Sequence, residues 1–155
     1  MIQRIQTLLL IGVVILISLL IFMPLAAFTN AESTFLLMAD SMVDTLPGKE
    51  ALMVVWPLFI LLIVMVLVPF VTIFMYKKRM LQIRMTIFSS ILDVLFFVLY
   101  FYECSTIARE IQAEVSYKPV ALIIPVVAIL LNIIAIRKIG QDEMLIRSLN
   151  SNRIR

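Results

Sequence analysis

Histidine is absent from this 155-residue chain, and cysteine occurs once, at Cys104. The first absence excludes His-ligated haem, His-containing zinc sites and a Ser–His–acid triad. The second excludes an intramolecular disulfide and any relay that needs a pair of thiols. Glycine occurs only 3 times, and no Gly-rich phosphate loop can be drawn from it. Charge is scarce as well. Asp, Glu, Lys and Arg make up 15% of the residues, against roughly 25% in soluble domains. A net charge of +3 is too small to imply a nucleic-acid partner. No metal cluster, nucleophile–base pair or cofactor motif remains to be built. The expectation is a non-enzyme without cofactors.

What is present is apolar: 63% of the chain is hydrophobic. Four long runs carry most of it, at about 7–28, 51–76, 85–104 and 117–136. Each is long enough to cross a hydrocarbon core of about 30 Å as a helix. The expected fold is therefore an all-α membrane protein, a single integral domain of four transmembrane helices in an up-down bundle. A polar tail, 137–155, follows. The first run resembles a secretory signal, with Arg4 before it and Ala26–Ala27 near its end. It is too long for a signal's apolar region and reads as an uncleaved span. Pro24 loosens its last turn, Pro57 and Pro69 are each expected to kink or locally unwind the second span, and Pro125 lies inside the fourth.

Between the first two spans, Phe35, Met38, Ala39, Met42, Val43 and Leu46 recur at helical spacing. Asn30 or Ser33 is a candidate cap, and Pro47–Gly48 a stop. This predicts a short amphipathic helix in the first outer loop. Thr106–Ser116 is expected to continue the third helix beyond the membrane. Asp142 is expected to cap a short helix in the tail, with Met144, Leu145 and Leu149 on one side. Cys104 is expected at the outer membrane–water boundary as a passive residue.

The third span carries an acid, Asp93, near its middle. An ionised carboxylate there costs about 2.5–3.5 kcal/mol on insertion scales, so the group is expected to face the bundle interior. Thr86, Ser89, Ser90, Asp93 and Tyr100 fall on one broad helical stripe, while Ile91, Leu95, Val98 and Leu99 point elsewhere. No span contains Lys, Arg or His to neutralise the acid. Two readings stand: a proton or cation site, or a neutral acid acting as interhelical glue. Asn132 on the fourth span lies at a depth similar to Ser89 and Ser90. An Asn–Ser contact between the helices is expected. The candidate intramembrane polar site is Asp93, Ser89, Ser90, Asn132 and Tyr100.

Basic residues fix the expected orientation. With the termini and the 77–84 connection in the cytoplasm, ten of the 13 basic residues lie on that side. The other side holds Lys49, Arg109 and Lys118 with seven of the ten acids. This is the positive-inside bias, and it places both termini in the cytoplasm. Arg4, Lys77, Lys78, Arg79, Arg84, Arg147, Arg153 and Arg155 are candidate contacts for anionic lipid headgroups or a cytoplasmic partner.

The opening MIQRIQT, running straight into an apolar span, and the end DEMLIRSLNSNRIR resemble an uncharacterised Bacteroidota membrane family, the domain-of-unknown-function 4293 group. That family tends to close with an acid pair, a basic–serine step and a basic–apolar–basic end. Asp142, Glu143, Arg147, Ser148, Arg153 and Arg155 match this pattern, while Leu149–Asn150 replaces an acid expected soon after the serine. The resemblance implies a multi-pass protein of the bacterial inner membrane and brings no activity. Two functions are weighed. One is a non-catalytic accessory or structural subunit of a membrane complex, with lipid, a membrane-protein partner or a second copy as its contacts. The other is a small proton- or cation-coupled transporter using Asp93.

Overall fold

The computed structural model describes residues 2–30, 33–44, 53–76 and 78–152. Four helices dominate: α1, Ile2–Phe22; α2, Trp56–Phe74; α3, Arg79–Glu110; and α4, Pro119–Asn152. All four are long and apolar enough to cross a membrane. Each packs against two others, in the cycle α1–α2–α3–α4–α1. Five short strands lie between helices: β1, Ala26–Thr29; β2, Thr34–Leu37; β3, Ser41–Asp44; β4, Met53–Val54; and β5, Glu114–Tyr117. They form one antiparallel sheet in the order β4-β3-β2-β1-β5. β1 leaves α1, β4 enters α2, and β5 joins α3 to α4, so the sheet caps one end of an up-down bundle.

Helix packing follows a heptad in every helix. α1 buries Gln6, Leu10, Val13, Ile17 and Leu20; α2 buries Leu58, Leu62, Met65, Pro69 and Thr72. α3 buries Gln82, Thr86, Ser89, Asp93, Phe96, Tyr100, Cys104 and Ile107 along the seam, with Leu92 beside it. α4 buries Ala121, Pro125, Ala128, Asn132, Ala135, Ile139 and Asp142. The steps alternate four and three throughout, which is the seam of left-handed, coiled-coil-like packing. Fully buried Ala121, Ala128 and Ala135 let neighbours approach α4 closely. Ile60, Leu67, Ile91, Val98, Ile123 and Leu130 stay exposed on the outer faces. An apolar belt of this extent suits lipid rather than water.

The seam is polar at one end only. Gln6, Thr72, Gln82, Thr86, Ser89, Asp93, Asn132 and Asp142 are buried on the side away from the sheet. From Asp93 toward the sheet the core turns apolar and aromatic, apart from Asp44 of β3. The Phe96 and Tyr100 rings stack at 5.7 Å. Tyr117 of β5 meets Tyr100 edge-on at 6.1 Å and Phe101 at 5.5 Å. Phe28, Phe35, Leu37 and Met42 bring the sheet's inner face into the same cluster.

Several expectations are corrected. The segment between α1 and α2 contains β2 and β3 over Thr34–Leu37 and Ser41–Asp44, in place of the expected amphipathic helix; Leu46 and Pro47–Gly48 lie outside the described residues. The deciding period is two: Phe35 and Leu37 point into the core with Met42 and Asp44 opposite them, while Val43 is exposed. β1 offers an edge to pair with, and backbone pairing outweighs the chance helical spacing. The first helix ends at Phe22 rather than near residue 28, because Pro24 breaks it and Ala26–Thr29 joins the sheet. The third helix ends at Glu110; Gln112 takes a positive φ of 49°, and the chain turns back into β5.

Pro57 lies in the first turn of α2, where it is tolerated without a kink; Pro69 and Pro125 lie inside their helices. The tail forms no separate helix. α4 runs unbroken from Pro119 to Asn152, and Asp142 sits mid-helix instead of capping. The seam explains this, since position 142 continues the four–three register of the span. Cys104 is fully buried, in the core cluster that the sheet's inner face joins.

Candidate functional site

Asp93 occupies a seam position of α3 and is 1% exposed. Asn132 faces it from the α4 seam and is fully buried. The Asn132 amide Nδ2 donates to Asp93 Oδ2 at 3.1 Å and to Ser89 Oγ at 3.3 Å. One side chain of α4 thus ties together two consecutive seam residues of α3, including the expected Asn–Ser contact. Asp93 Oδ1 and Asn132 Oδ1 are both buried and accept no hydrogen bond. In hydrocarbon surroundings an unmade bond is costly, because water is not there to replace it.

The other stripe residues part company. Ser90 lies off the seam, half-buried, and its hydroxyl donates to the Thr86 carbonyl at 3.2 Å. Thr86 donates likewise to the Gln82 carbonyl at 2.9 Å. Tyr100 points inward but serves the sheet end: its hydroxyl donates to the Leu25 carbonyl at 2.8 Å. That bond anchors α3 to the segment between α1 and β1. Ile91, Leu95 and Val98 face outward as expected, and Leu99 is partly buried against the core.

A second buried polar contact was not foreseen. Gln6 Nε2 donates to Asp142 Oδ2 at 2.5 Å, joining the start of α1 to the far part of α4. Heptad spacing was the available signal. Counting forward from Asn132 by the four–three register places Asp142 on the interior face, and counting back from Leu10 places Gln6 there too.

Among the candidate headgroup contacts, Lys78 and Arg84 are exposed and Arg79 is half-buried at the start of α3. Arg4 and Arg147 belong to α1 and α4, and their side chains lie outside the described residues. Lys77, Arg153 and Arg155 lie outside the described residues altogether. Among the described residues no group of three His, Cys, Asp or Glu side chains comes together to hold a metal ion.

Among curated proteins, none matches the chain. A family model described as "Domain of unknown function (DUF4293)" matches residues 2–154. With a helical bundle of four candidate spans and a match over essentially its whole length, the chain belongs to that family.

Proposed function

We propose that this is a non-catalytic accessory subunit of a bacterial inner-membrane complex, with both termini in the cytoplasm. One observation carries the reading. α3 and α4 outrun the bilayer: 32 and 34 residues give rises of roughly 48 and 51 Å, against a hydrocarbon core of about 30 Å. The surplus of α4 projects past the basic end as a stalk, held to α1 by Gln6 and Asp142, and Met144 and Leu145 on it are exposed. A rigid stalk with outward apolar side chains suits a partner's surface. Inside the bundle, Asn132 holds Asp93 and Ser89, so the buried polarity serves helix packing. Mild-detergent purification from cells expressing the chain at its normal level should bring down a stoichiometric partner. Recovery of the chain alone would overturn the reading.

A second reading, a small proton- or cation-coupled transporter, is favoured by the two unclaimed oxygens at Asp93 and Asn132. It requires that wild-type liposomes carry a proton or cation flux that Asp93→Asn abolishes. Equal background flux in both would end it.

A further inference from the structure

Asp93 Oδ1 and Asn132 Oδ1 are the remaining oxygens of an acid and an amide already joined through Asp93 Oδ2 and Asn132 Nδ2. Both are acceptors as drawn, and both are buried, so the pair lacks one donor. A proton on the acid supplies it. A carboxyl and a primary amide joined on one side close a second bond when the acid O–H donates to the amide carbonyl, and one hydrogen then serves both oxygens.

The charges around the site agree. The apolar stretches of α1 (5–22), α2 (56–74) and α4 (119–136) contain no Asp, Glu, Lys, Arg, Cys or Tyr. On α3 itself, Tyr100 is bonded to the Leu25 carbonyl and Cys104 lies beyond it. The nearest charged residues along that helix are Arg84 and Glu103, nine and ten residues away, or roughly 13–15 Å at 1.5 Å per residue. On α4, Arg137 and Lys138 follow Asn132 by five and six residues and are exposed; among the described residues the side chain that meets the Asp93 carboxyl is the Asn132 amide, and no cation meets it. A bound hard cation fits poorly, since such ions take roughly six or more oxygen ligands and only two oxygens here are unclaimed.

We infer that Asp93 is a proton-binding site: its carboxyl carries a proton on Oδ1 and donates it to Asn132 Oδ1, closing a two-bond acid–amide pair between α3 and α4. This rests on reading the bundle as membrane-spanning. It deepens the site common to both functions above, because a neutral pair is a lock that a lost proton would open.

Infrared spectroscopy of the full-length chain in lipid tests it. Carbon-13 labelling of the Asp side-chain carboxyls separates their carbonyl stretch from those of Glu and the lipid. At neutral pH the wild type should give a protonated-carboxyl band that Asp93→Asn removes, and the band should persist when sodium or potassium is added at constant pH. The neutral isostere Asp93→Asn can form the same two bonds, so it should fold and melt within a degree or two of wild type. Identical spectra for wild type and Asp93→Asn would overturn the inference, as would loss of the band on adding salt. Failure of Asp93→Asn to fold would also overturn it, since an amide must substitute for a protonated acid in this geometry. None of these results bears on whether a partner co-purifies, so the two proposals fail separately.

Discussion

Replacing Asn132 by Leu removes the one side chain that, among the described residues, bonds from α4 to Asp93, along with the donor to Ser89. The two side chains are close in volume, so the effect is chiefly lost polarity. Interhelical hydrogen bonds in membranes average about 0.6 kcal/mol and reach about 1.7. Two bonds and a stranded buried acid place Asn132→Leu at about 1–3 kcal/mol of destabilisation. Asp93→Leu leaves the Asn132 amide with Ser89 alone and should cost a similar amount or less. The double variant strands neither, so its cost should fall short of the sum by about 0.6–1.7 kcal/mol. At the upper end that coupling is more than a tenfold change in the unfolding equilibrium. The assay is reversible unfolding in mixed micelles as the fraction of a denaturing detergent rises. Costs that add to within about 0.3 kcal/mol would refute the claim that the two side chains act as a unit.

Three other substitutions probe the frame. Tyr100→Phe removes the bond to the Leu25 carbonyl, but Lys118 N–H still donates to that oxygen at 3.3 Å; the loss should stay near 0.5–1.5 kcal/mol in the same unfolding assay. Ala128→Leu forces a larger side chain into a fully buried seam position of α4 and should cost about 1–3 kcal/mol, where Ile123→Leu on the exposed face should cost nothing measurable. Gly140→Ala places a methyl group in open space mid-helix and should stabilise the stalk by about 0.5–1 kcal/mol; a loss of stability there would argue against a continuous α4.

The helices were legible because their signal is long and local. Twenty apolar residues have few alternatives, and helical spacing in MTIFSSILDVLFFVLYFYEC already puts Ser89, Asp93 and Tyr100 on one face. Asn132 was placed opposite Ser89 by depth alone, and its reach to Asp93 follows from the same geometry. The sheet was not legible. β1 is a four-residue stretch, AAFT, that continues the apolar run of α1, and only its pairing with β2 and β5 makes it a strand. Four-residue strands depend on partners distant in sequence, such as Ala26 opposite Tyr117, and local spacing carries no record of them. The tail was misread because Asp142 looks like a helix cap. In the folded chain α4 is continuous there, and Asp142 meets Gln6, 136 residues earlier.

The membrane crossing itself is most directly tested by labelling single cysteines in a Cys104→Ala background. Asp40 lies exposed at the sheet end, Lys78 is exposed at the basic end, and α2 separates them. In intact spheroplasts a membrane-impermeant maleimide should modify Asp40→Cys and leave Lys78→Cys untouched until the membrane is opened. Labelling of both positions from outside, or of Lys78→Cys alone, would contradict a bundle that spans the bilayer with its sheet outside and its cations within.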